Sequence, residues 1–106
     1  MSFDCSYTMK DGEARVKLKG ELDASAAGQF KTTVEEIAAQ KPSRLVLMLQ
    51  EVSFMASAGL RVLVFTKQKM GAGTDIYLVG CQPTVLSTLT MSGFHHSVYL
   101  KDSYPD

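Results

Sequence analysis

Leu45-Val46-Leu47-Met48-Leu49 and, after two intervening residues, Val52-Ser53-Phe54-Met55-Ala56-Ser57-Ala58-Gly59-Leu60 carry the strand-to-helix transition around which the rest of the chain is organised. The first is a continuous apolar run of strand length, which predicts a central strand buried on both faces. The second joins that strand to a helix expected from about Ala58 to Met70, with Leu60, Leu63, Val64 and Lys67 on one side and Gly71-Ala72-Gly73 as its stop.

The same alternation continues in both directions. Downstream, Ile76-Tyr77-Leu78-Val79 reads as another buried strand. Pro83 at a first helical position and Gly93 just past the end bracket a helix through Val85, Leu86 and Leu89, and Val98-Tyr99-Leu100 fits a short last strand. Upstream, Phe30, Val34, Ile37 and Ala38 form an apolar stripe on a helix from about Ala24 to Gln40, with Asp23 at the N-cap and Pro42-Ser43 beyond its end. Val16 and Leu18 alternate with Arg15, Lys17 and Lys19, the period of a half-buried strand. Asp11-Gly12 predicts a hairpin back to a first strand around Phe3 to Met9.

The expected fold class is therefore α/β, a mixed sheet of four to five strands with an N-terminal hairpin and parallel later strands packed against helices. Parallel strands joined by right-handed crossovers end on one edge of the sheet. The segments after Lys19, Leu49 and Val79 should cluster there, bringing Asp23, Ser57 and Cys81 to the place where open α/β sheets carry their sites.

The 106 residues suit one domain, and a chain of this size buries roughly two-thirds of its unfolded surface. Eleven basic residues balance eleven acidic ones, and neither half of the chain carries a large excess, which argues against an electrostatic binder of nucleic acid or anionic membrane. No apolar stretch reaches membrane-helix length and no leader-like segment opens the chain, so a cytoplasmic protein is expected. Cys5 and Cys81 do not make a disulfide scaffold, and His95-His96 has no second ligand cluster, so neither cofactor nor metal is expected. Cys81 reads as an inert thiol and Met48 as core, while Met55 and Met91 suit an adaptable interface. Only the tail from Lys101 onward looks frayed.

Two readings compete for Ser57, which stands where the second helix begins. Serine is a preferred N-cap, and capping alone is worth about 1 kcal/mol. Gly59 in the first turn costs up to about 1 kcal/mol relative to alanine, which suggests that the turn must stay uncrowded.

Phe54-Met55-Ala56-Ser57-Ala58-Gly59-Leu60-Arg61-Val62-Leu63 resembles the signature of STAS-domain anti-sigma factor antagonists, and Gly20-Glu21-Leu22-Asp23-Ala24 resembles the segment that opens that family's first helix. Gly71 through Val79 and Met91-Ser92-Gly93-Phe94 extend the likeness through nearly the whole chain. The resemblance implies a STAS fold and a partner switch without catalysis. The serine matching Ser57 would be phosphorylated by an anti-sigma serine kinase of the histidine-kinase-like ATPase fold and dephosphorylated by a metal-dependent serine phosphatase, and the unmodified protein would bind the kinase. It places Asp23, Met55, Ala56, Ser57, Ala58, Gly59 and Arg61 at the partner-binding surface; apart from the resemblance, a monomer is the default expectation for the free protein. Two departures bear on this. Ala58 leaves Ser57 the one hydroxyl of its turn, and Ala56 stands where many phosphorylated members carry Asp.

Arg61 reads equally as a partner for phosphate or as a solvated helix face. Two other functions compete: a constitutive STAS scaffold in a signalling or transport complex, with Ser57 only a cap, and a small enzyme or nucleotide binder at the same sheet edge. The second lacks a clustered nucleophile, base and orienting acid.

Overall fold

Asp11 and Gly12 take φ values of 53° and 80°, the left-handed pair of a type I′ turn, and so join β1 (Phe3–Lys10) to β2 (Glu13–Leu22) as the expected hairpin. The structure is a computed structural model that describes residues 3–104. The chain continues through α1 (Ala24–Ala38), β3 (Arg44–Met55), α2 (Ser57–Met70), β4 (Asp75–Val79), α3 (Pro83–Ser92), a 3₁₀ turn at Phe94–His96 and β5 (Tyr99–Lys101). Pro83 opens α3, and Gly93 closes it in the left-handed conformation at φ 79°.

The five strands lie in sequence order, β1-β2-β3-β4-β5. β1 is antiparallel to β2, and the remaining neighbours are parallel. Right-handed crossovers that always advance in one direction put their helices on one face. Accordingly Phe30, Val34 and Ile37 of α1, Val62 and Leu63 of α2, and Val85 and Leu89 of α3 join one cluster with Val16, Leu18, Leu45, Leu47, Leu49, Ile76 and Leu78 of the sheet. Each large side chain fully buried there contributes roughly 1.5–3 kcal/mol. The strand order never reverses, so this sheet has no crevice of the kind found at a switch point.

The second face of the sheet is covered only in part, which corrects two expectations. Val46 lies in the cross-strand row between Arg15 and Tyr77, and Tyr104 caps that row, edge-on to Tyr77 and beneath the Arg15 guanidinium. The Tyr104 hydroxyl donates to Glu13 Oε1 at 2.7 Å and accepts from Arg44 at 2.8 Å. The tail is thus docked through Tyr104 and not frayed from Lys101, which itself pairs with Val79 in β5. Residues 105–106 of that expected tail lie outside the described residues. One row further along, Met48 has no such cover. It is half-buried, not core, and lines a shallow groove of about 680 Å³ with Ser6, Lys17 and Gln50.

β3 also outruns its expected length, reaching Met55 where a loop was anticipated after Leu49. Two register shifts against β2, at Lys17/Lys19 and Gly20/Glu21, break the alternation that would have marked a strand. Pairing with β4 stops at Met48, and side chains at the start of α3 take over the work of a neighbouring strand. Gln82 donates to the Gln50 carbonyl, Thr84 to that of Ser53 and Thr88 to that of Met55, at 2.9, 2.8 and 3.4 Å.

Candidate functional site: the edge carrying Asp23 and Ser57

Leu22 and Met55 are the last residues of β2 and β3, and they are register partners. The Ala56 amide donates to the Leu22 carbonyl at 3.0 Å, extending the ladder one step beyond the strands. Asp23 and Ser57 follow on the two sides of this closure, each at the start of a helix. The spacing of the two segments in the sequence is thereby turned into adjacency at one edge.

Asp23 is the N-cap of α1, with extended backbone (φ −99°, ψ −171°) and a carboxylate that accepts the Ala26 amide at 3.1 Å. The Ser25 hydroxyl donates to the same oxygen at 2.7 Å. That bond first, and the Ala26 amide second, hold the Asp23 carboxyl below its ordinary pKa. It stays ionised at neutral pH, partly exposed, one residue past the Leu22 carbonyl that receives the Ala56 amide.

Ser57 is exposed, and it is not the cap. Ala56 occupies the N-cap position, makes no side-chain capping bond, and Ser57 is the first helical residue. The first intrahelical bond runs from the Leu60 amide to the Ala56 carbonyl at 3.1 Å, so the amides of residues 57–59 precede the ladder. No acidic residue stands in the first turn to use their partial positive charge. A capping role for Ser57 is therefore ruled out in favour of a hydroxyl displayed at the positive end of α2.

The other residues assigned to this surface separate into two groups. Ser57 and Arg61 are exposed and stand four apart in α2, one helical turn above one another, while Ala56 and Ala58 are partly exposed. Met55 is 2% exposed and belongs to the core, so it supports the edge from below and presents no side chain to a partner. Gly59 is buried as well, and a Cβ there would lie 2.8 Å from the Leu22 carbonyl oxygen. Phe54, left out of the expected surface, is 47% exposed next to it. Its place in a strand past the bulges turns it outward, and an apolar residue in an apolar run gave no sign of this.

Cys81 does not extend the site. Burial pushes its thiol up to about 11, which makes it a poor nucleophile. Among the described residues no three His, Cys, Asp or Glu side chains are grouped to hold a metal ion. No helix of the described chain is long and apolar enough to cross a membrane.

The STAS domain family model matches residues 7–106. The anti-sigma-F factor antagonist RsfB of Mycobacterium tuberculosis is 34% identical over 69 residues, which are 65% of this chain and 57% of RsfB; the match thus spans little more than half of that relative. An anti-sigma factor antagonist from Mycobacterium paratuberculosis superposes with a TM-score of 0.89 at 26% identity, covering 96% of this chain and 87% of its own. The Bacillus cell fate determinant SpoIIAA in its phosphorylated form shares the fold, with a TM-score of 0.72 at 20% identity and coverage of 96% and 92%.

Proposed function

The chain belongs to the STAS domain family, and from that premise we propose that it is an anti-sigma factor antagonist whose affinity for an anti-sigma factor is set by phosphorylation of Ser57. The observation that carries this reading is the exposed Ser57 hydroxyl at the first position of α2, across the Leu22–Met55 closure from the Asp23 carboxylate. The names of RsfB and of the Mycobacterium paratuberculosis protein support the antagonist function. The phosphorylated form of SpoIIAA, on the same fold, supports a phosphate as the signal. The protein acts by binding and performs no catalysis of its own.

In this reading the partner is an anti-sigma serine kinase with a histidine-kinase-like ATPase fold. It transfers the γ-phosphoryl group of ATP to Ser57 Oγ, leaving ADP, and a metal-dependent serine phosphatase hydrolyses the ester. Both encounters take place in the cytoplasm. The phosphate adds about −1.5 to −2 charges next to the amides of residues 57–59, where an anion is stabilised, so the fold survives modification. At a partner interface the same charge repels carboxylates, Asp23 among them, and must be desolvated. A penalty of about 3 kcal/mol weakens a complex on the order of a hundredfold.

Ala56 favours a second reading, since it provides no carboxylate before the serine. A constitutive scaffold would bind its partner through the same edge and ignore the hydroxyl. Incubation with the cognate kinase and ATP, followed by intact mass, separates the two. One added phosphate, lost in Ser57→Ala, supports the switch, and an unchanged mass supports the scaffold.

A further inference from the structure

β1 and β5 are the two edges of the sheet, and they differ in a way that matters. β5 has three residues, too few to template a partner strand. β1 has eight, contains no proline, and pairs with β2 from Phe3↔Gly20 to Lys10↔Glu13 without a register shift. Neither a bulge, a proline nor an inward charge blunts it, and its charges are the outward Asp4 and Lys10 near its two ends. Its side chains alternate, with Phe3, Cys5, Tyr7 and Met9 half-buried against the core and Asp4, Ser6, Thr8 and Lys10 exposed.

The two-residue turn makes Lys10 and Glu13 the closing hydrogen-bonded pair of the hairpin. By alternation Thr8, Ser6 and Asp4 also bond to β2, and the backbone groups of Phe3, Cys5, Tyr7 and Met9 face outward. A second antiparallel β1 can satisfy these groups only if outward residues meet outward residues. Among the registers that do so, the one centred on Tyr7 sets Cys5 against Met9 and Ser6 against Thr8. It also sets Asp4 of each copy opposite Lys10 of the other. Shifting the centre to Ser6 keeps seven residues paired and faces Asp4 with Thr8 instead, losing both charge pairs.

We propose that β1 is a self-association edge, through which two copies of this chain pair over residues 4–10 about a two-fold axis at Tyr7. The occupant is a second copy because the strand is its own charge complement: the one acidic and the one basic residue of the segment lie equally far from its centre. This replaces the monomer expected from the sequence with a reversible dimer, since a single strand edge is a small interface. The pairing joins the two sheets into one of ten strands, and the two-fold axis points the Asp23–Ser57 edges of the two copies in opposite directions, leaving both free.

Sedimentation equilibrium of the full chain, from about 10 μM to about 1 mM, tests the proposal. The expected result is a monomer–dimer equilibrium that Asp4→Lys and Lys10→Asp each weaken on the order of tenfold, since each puts like charges together twice in the dimer. The double variant Asp4→Lys/Lys10→Asp restores both pairs between copies and should associate more tightly than either single variant, short of the wild-type affinity because positions 4 and 10 then face Lys19 and Glu13 within each hairpin. A monomer throughout the range, or a double variant no stronger than the singles, would overturn it. Ser57→Asp should leave the dimer constant unchanged, and its loss in that variant would place the contact elsewhere and equally overturn the proposal.

Discussion

Gly59 sits so close to Leu22 that a Cβ on it would stand 2.7 Å from the Leu22 Cγ and 2.8 Å from its carbonyl oxygen. The same carbonyl accepts the Ala56 amide, so one peptide group of β2 fixes both the entry to α2 and the height of its first turn. The absence of a side chain at 59 is a packing requirement of the edge that displays Ser57.

Gly59→Ala should therefore destabilise the protein, by about 1–3 kcal/mol, even though alanine is favoured over glycine within a helix by up to about 1 kcal/mol. Backbone atoms cannot yield as a flexible side-chain end can. Urea denaturation reads the change directly; equal or greater stability in the variant would show that α2 is free to move away from Leu22.

The Asp23 carboxyl is held below its usual pKa by the Ser25 hydroxyl and then by the Ala26 amide. A depressed folded-state pKa contributes stability above the unfolded value of about 3.9, and this is lost as the pH falls through the folded value. Asp23→Asn keeps a capping oxygen and removes the titration. The stability difference between the two proteins should be constant near neutrality and should change only below about pH 5, as the unfolded-state carboxyl begins to protonate. A difference that drifts between pH 6 and pH 8 would contradict this assignment.

Tyr104 anchors the end of the described chain on the open face through Glu13 and Arg44. Its hydroxyl is the main reason that the Glu13 carboxyl lies below its ordinary pKa. Tyr104→Phe removes that donor, and NMR titration should find Glu13 moved up. The ring contacts with Tyr77 and Arg15 do not need the hydroxyl, so the tail should stay docked at neutral pH.

The parts of the fold that were legible in the sequence are those set by local chemistry. The Asp11-Gly12 turn, Asp23 as a cap, Pro83 and Gly93 as brackets, and the apolar stripe through Phe30, Val34 and Ile37 each act within a few residues. The features that escaped depend on contacts far along the chain. Residues 50–55 resemble a loop because their bulged pairing with β2 and their bonds to Gln82, Thr84 and Thr88 leave no periodic trace. Tyr104 reaches Glu13 across 91 positions. At the candidate site, the placing of Asp23 and Ser57 on one edge followed from strand order alone. That Met55 faces inward and Phe54 outward did not, because the bulges shift which residues face the core.

A phosphate on Ser57 should weaken binding of the anti-sigma factor without unfolding the protein. Calorimetric titration of the cognate anti-sigma factor with unmodified and Ser57-phosphorylated protein measures this. Circular dichroism of both forms accompanies it. Matching spectra and an affinity lower by on the order of a hundredfold for the phosphorylated form are expected. Equal affinities of two folded forms would contradict it.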